Sequence, residues 1–118
     1  MKKDDNCNHG IIICSYNCSG FNFMKRDYIQ KLLDECDILF LQEHWLSERR
    51  LLDLNVHSQF HMHGLGFDNS EVLSGRPFGG CAIFWRASKF ACVEIVRTNS
   101  RRVCAETYLL RYLGFAVN

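Results

Sequence analysis

Two short apolar runs, Ile11 to Asn17 and Asp37 to Glu43, stand a helix's length apart, and this arrangement constrains the fold more than any other feature of the chain. Each run is rich in β-branched or aromatic residues, the pattern of a buried strand. Between them Phe21, Met24, Tyr28, Ile29, Leu32 and Leu33 recur at three- and four-residue spacing. That spacing predicts a helix over about 22–35 with one stripe toward the core, and Asn22 or Ser19 stands where its cap belongs. If the two strands are parallel neighbours, their carboxyl ends emerge side by side, and in open α/β sheets ligands bind there. Asn17 closes the first run and Glu43 the second, and each can meet a metal ion or a phosphate. A hard cation such as Mg²⁺ takes one or two carboxylates with phosphate oxygens and water. Glu43 beside Asn17 begins such a site. A strand-end surface charge and an ordinary turn residue before Ser19-Gly20 are the plain alternatives.

Further along, Ser47 to Leu54 reads as a short helix without a capping box, since Arg50 and not Glu stands three residues after Ser47. Val56 to Met62 reads as a strand. Leu65 to Pro77 carries two of the eight Gly and the one Pro, and reads as a loop. Strands are expected at 80–86, 90–97 and 102–110. Ile11 to Tyr16, Ile38 to Leu41 and Cys81 to Trp85 are apolar on both faces, so both faces must be covered. The helices cover one face only. Leaving the other bare would expose more apolar area than a monomer tolerates, so the chain is expected to be poorly soluble or to self-associate through that sheet face.

Hydrophobic content of 47% and aromatic content of 13% describe a packed chain. A net charge of +1 gives no general pull toward nucleic acid. Seven Cys at 7, 14, 18, 36, 81, 92 and 104 form no CxxC, and several lie in predicted strands. Buried reduced thiols fit that usage and point to an intracellular location, nucleus or cytoplasm. No apolar stretch reaches membrane-span length, so no membrane partner is expected, and residues 1–9 read as a polar tail. His61 and His63 would share a strand face, but with His57 they lack the spacing of a zinc site. His44, next to Glu43, is expected to be exposed or to line a groove, because adjacent strand residues point to opposite faces. Arg97, Arg101 and Arg102 with Thr98, Asn99 and Ser100 read as a solvated basic loop, and Arg76 and Arg86 as surface residues.

Four stretches in order carry a resemblance. Ile13-Cys14-Ser15-Tyr16-Asn17-Cys18-Ser19-Gly20 resembles the opening motif of the endonuclease/exonuclease/phosphatase (DNase I-like) superfamily, although the family often has Asp where Ser19 stands. Asp37 to Glu43 is similar to its "DIL-x-LQE" signature. Gly79-Gly80-Cys81-Ala82-Ile83-Phe84-Trp85 resembles its "GG-x-A" strand, and Ser100 to Ala105 the strand that follows. The texture, with "LQEHWL" and "FGGCAIFW", is closest to the endonuclease domains of LINE-type retrotransposons.

The resemblance implies an α/β (α+β) fold, with residues 10–118 forming the N-terminal half of a DNase I-like four-layer α/β sandwich, a mixed β-sheet with flanking helices. It implies Mg²⁺-dependent (or Mn²⁺-dependent) hydrolysis of phosphodiesters in DNA, with Asn17 and Glu43 as catalytic and metal-binding residues. The family's later motifs, a catalytic Tyr, "GD-x-N" and "SDH", do not occur in this sequence, and 113–118 looks like the strand that leads to the Tyr. The isolated chain is therefore expected to be a truncated member, nearly inert, with metal binding weak or absent. It would be partnered by DNA in a complete member and by the missing C-terminal half-domain or a second copy. A non-catalytic half-domain that binds protein or nucleic acid, and a truncated phosphatase-type member, are the other readings.

Overall fold

The computed structural model describes residues 10–66, 79–96, 105–112 and 115–117. The chain runs β1 (Ile13–Asn17), α1 (Phe23–Glu35), β2 (Ile38–Gln42), a 3₁₀ helix (Glu48–Leu54), β3 (Phe60–Leu65), β4 (Cys81–Arg86), β5 (Phe90–Val96), β6 (Ala105–Tyr112) and β7 (Phe115–Val117). A four-stranded sheet has the order β1-β2-β4-β3, and a three-stranded antiparallel sheet the order β5-β6-β7. β1 and β2 are parallel, while β4 is antiparallel to both β2 and β3, so the larger sheet is mixed, as expected.

α1 begins where Asn22, in extended conformation, turns its Oδ1 to accept from the Lys25 amide at 3.0 Å. It ends at Cys36, which returns to extended backbone, and the Asp37 amide then donates to Ile12 O at 2.8 Å, starting the next strand. Ile29 and Leu33 are fully buried, with Phe21 and Leu32 packed beside them. Met24 and Tyr28 depart from the expected stripe, being 82% and 49% exposed. At 3.6 residues per turn they lie about 140° and about 100° around the helix from Ile29, on its outer flank. Tyr28 instead packs its ring against Tyr16, with centroids 4.9 Å apart.

Ile29 and Leu33 meet Leu39, Leu41, Leu54 and Phe84 on one sheet face. Burying such side chains stabilises by about 1.5–3 kcal/mol each. The opposite face is covered in part by β5, where Phe90 and Val93 pack against Ile38, Ile83, Phe40 and Trp85. The second layer therefore starts within this chain, earlier than expected. Ile13 on the edge strand is still 58% exposed.

Four further expectations shift. The short helix is 3₁₀, and Ser47 makes no side-chain cap; the Glu48 carboxylate instead accepts from the Gly66 amide at 3.0 Å. β3 starts at Phe60 and not at Val56, because the Phe60 amide closes a turn on His57 O at 3.2 Å. β6 runs to Tyr112 and is followed by β7. Arg86 is no plain surface residue. Its guanidinium donates to Leu33 O (2.9 Å), Cys36 O (2.8 Å) and Gln59 Oε1 (3.1 Å), and it lies over the Phe60 ring. Nε stands 3.4 Å from the buried Asp37, whose other oxygen accepts from the Ile12 amide, so Arg86 ties the end of α1 to the sheet. The tail at 1–9, most of the 65–77 loop with Arg76, and Arg97 to Arg102 lie outside the described residues.

Candidate active site

The register of the parallel pair sets Asn17 opposite Gln42, so Asn17 and Glu43 come out at one end of the sheet. Three backbone bonds lace the two strand ends together. The Cys18 amide donates to Gln42 O, that of Gly20 to Glu43 O and that of Phe21 to His44 O, each at 2.8 Å. On the other side, just before β4, the Glu43 amide donates to Gly80 O at 2.8 Å and the Trp45 amide to Gly79 O at 2.9 Å. The loops after β1 and β2 are thus pinned from both sides.

They are also strained. Among the described residues the three non-glycine residues with positive φ are Ser19 (50°), Glu43 (58°) and Trp45 (61°), all in these two loops. Each costs on the order of 1 kcal/mol, and such residues persist where surrounding structure holds them, often at functional sites.

Glu43 is half-buried, and its Oε1 accepts from the Trp45 indole Nε1 at 3.1 Å. Asn17 is exposed, and its Oδ1 accepts from the Ser19 amide (3.2 Å) and hydroxyl (3.3 Å). Its side-chain NH₂ makes no hydrogen bond among the described residues. Lys25 Nζ donates to the carbonyls of Cys18 and Ser19, bracing the same loop from α1. A carboxylate with a neighbouring amide, at an open strand end, fits a hard divalent cation that takes its remaining ligands from phosphate and water. No group of three or more His, Cys, Asp or Glu side chains that could hold a metal ion occurs among the described residues.

His44 is a correction. It is fully buried rather than exposed. Alternation holds only inside a strand; β2 ends at Gln42, and the left-handed turn at Glu43 swings the next side chain inward. Nε2 lies 3.0 Å from Leu65 O and Nδ1 accepts from the Leu46 amide at 2.9 Å, which assigns the proton to Nε2. Burial holds this imidazole below its ordinary pKa, against the opposing pull of the Leu65 carbonyl. Its ring fills the space over Gly80, so the second Gly of the Gly-Gly pair has no room for a side chain. His61 and His63 do share a face, opposite Trp85 and Ile83, and His57 pairs with Asp34 at 2.8 Å.

A parallel β-α-β unit thus carries a carboxylate and an amide at its carboxyl end, beside the Gly79-Gly80 pair that precedes β4. Residues 14–118 match the Endonuclease/Exonuclease/phosphatase family, and the chain belongs to it. No curated protein matches the chain in sequence. Among solved structures it is similar to NExo, a 3′ phosphatase from Neisseria bound to product DNA hairpin, with a TM-score of 0.57 and 23% identity. That likeness covers 84% of this chain and 38% of the other. The fold is therefore the N-terminal part of a DNase I-like architecture.

Sequence reasoning missed Trp45 and His44. Both sit in the "LQEHWL" string, but the left-handed turns that aim them leave no mark in composition or periodicity. It also missed Asp37, whose partner Arg86 is distant in sequence.

Proposed function

We propose that this chain carries the first half of the active site of a Mg²⁺-dependent (or Mn²⁺-dependent) phosphodiester hydrolase acting on DNA, of LINE-type endonuclease character. What supports it most is the juxtaposition of Asn17 and Glu43 at the end of the parallel β1/β2 pair, in the one strained and doubly pinned region among the described residues. The family is generally divalent-metal dependent. A divalent ion, when bound, supplies positive charge at the scissile phosphate and the leaving oxygen.

The chain's own residues would do the rest of what it offers. The Glu43 carboxylate would hold the ion. With Asn17 Oδ1 occupied by Ser19, its NH₂ would donate to a phosphate oxygen, and Asn17 would reach the ion second. In the family's pattern, activation of water and protonation of the leaving group fall to the "GD-x-N" and "SDH" motifs, which do not occur in this sequence, so the isolated chain is proposed to be nearly inert. A Mg²⁺ titration followed by amide NMR tests the site. Shifts centred on 17–20 and 43–45, lost in Glu43→Gln, are expected; shifts centred elsewhere would overturn the assignment.

A phosphomonoester substrate is the second reading, favoured by the similarity to a 3′ phosphatase. A non-catalytic binding role remains the third, with DNA, another protein segment or a second copy meeting the sheet face that carries the 58%-exposed Ile13. Cys14, Cys18, Cys36, Cys81 and Cys92 are all free thiols, and burial pushes Cys36 up to about 12, which fits a reducing, intracellular setting. No helix among the described residues is long and apolar enough to cross a membrane.

A further inference from the structure

Trp45 does more than fill space beside the site. Its indole Nε1 donates to Oε1 of Glu43 at 3.1 Å, while Oε2 accepts no hydrogen bond among the described residues. The indole cannot drift away from that contact. Its backbone is left-handed at 61° and tied to Gly79 O, and its six-membered ring lies against Gly20, where a Cβ would stand 2.9 Å from Cζ3. The Gly20 amide in turn donates to Glu43 O, so the ring, the glycine and the carboxylate form one closed unit.

We propose that Trp45 is a positioning residue for Glu43: its N–H holds one carboxylate oxygen and leaves the other for a divalent cation. A carboxylate on a free side chain samples several rotamers, and binding a cation must order it. Here the ordering is done beforehand. Hydrogen bonds from outside the ligand shell orient metal ligands, and their removal typically weakens metal binding by about 10–100-fold. The proposal rests on the reading of Glu43 as the metal ligand.

The test is Mn²⁺ binding to the full chain, read from the free-ion signal in electron paramagnetic resonance and from quenching of indole emission. Trp85 lies opposite Ile38, at the far end of the sheet, so quenching reports Trp45 in the wild-type and Glu43→Gln proteins, and the free-ion signal alone reads the variants at position 45. Two variants remove the donor: Trp45→Phe, and replacement of Trp45 by benzothienylalanine, which keeps the bicyclic shape without the N–H. Expected is about a tenfold weaker Mn²⁺ affinity in the benzothienylalanine protein at an unchanged melting temperature, with Trp45→Phe at least as weak. Wild-type affinity in the isosteric protein, while Glu43→Gln loses binding, overturns the role of Trp45 and leaves that of Glu43 intact. Loss of folding in the isosteric protein also overturns it, since the N–H would then serve the fold. Mn²⁺ binding that Glu43→Gln does not weaken overturns the metal reading itself.

Discussion

The imidazole of His44 occupies the space where a side chain on Gly80 would begin: a Cβ there would stand 2.6 Å from Nδ1 and 2.7 Å from Nε2. Gly79, with a similar positive φ of 79° against 90°, has nothing within 4 Å of its Cβ position. The two glycines therefore separate backbone strain from crowding. Gly79→Ala is expected to cost about 1–2 kcal/mol, the left-handed penalty alone. Gly80→Ala adds overpacking against a buried ring and is expected to cost about 3 kcal/mol or more. Urea midpoints of the two variants make the comparison, and equal losses would show that the His44 ring gives way.

Glu43 holds a left-handed backbone that glycine adopts freely. Glu43→Gly is expected to be more stable than Glu43→Ala by about 1 kcal/mol, although both lose the carboxylate. Reversal of that order in chemical denaturation would mean that the loop relaxes out of the left-handed region once the side chain is gone.

Arg86 satisfies two carbonyls at the end of α1 and stands beside the buried Asp37. Removing it leaves the carboxylate with Lys89, 3.8 Å away, as its one charged partner among the described residues. Arg86→Ala is expected to cost about 3 kcal/mol. Adding Asp37→Asn should recover part of that loss, and a double variant no better than the single one would assign the cost to the helix carbonyls alone.

Burial lowers the folded-state pKa of His44 and, less enclosed, of His63 below the ordinary 6.5. Below that value the unfolded chain takes protons that the folded chain does not, so stability is full above about pH 6.5 and falls as pH drops toward the folded pKa values. Protonation would also turn Nδ1 of His44 from acceptor to donor against the Leu46 amide. The urea midpoint should fall between about pH 7.5 and about pH 5.5, and fall less in His44→Gln. An unchanged slope in that variant would move the effect to His63.

Ile13 and Ile95 are 58% and 53% exposed, and Ile12 and Val96 are 40% and 43% exposed. The chain by itself is expected to self-associate in sedimentation velocity. A single monomeric boundary with a sharp cooperative melt would refute this.

How far the sequence reached can be read from particular elements. α1 and the strands β1, β2 and β4 were legible because each carries its own signal, helical spacing or a short apolar run, and because Asn22 is a strong local cap. The start of β3 was not, since Val56 is buried from a loop and the strand begins only after the turn at His57. Asn17 and Glu43 could be named as site candidates because strand order alone brings their chain ends together.

By itself the sequence determined the strand-helix-strand order, the polar residues that close each strand and the resemblance to the family, since these rest on local pattern and motif; that the two strands pair in parallel came from the tertiary structure. Only the tertiary structure decided which way the residues after Gln42 turn. Two left-handed residues, held by Gly79 and Gly80 just before β4 and by Gly20 after β1, bury His44 and set Trp45 on the Glu43 carboxylate. Those partners are distant in sequence, and backbone strain of this kind survives only where the folded surroundings hold it, so no local pattern records it.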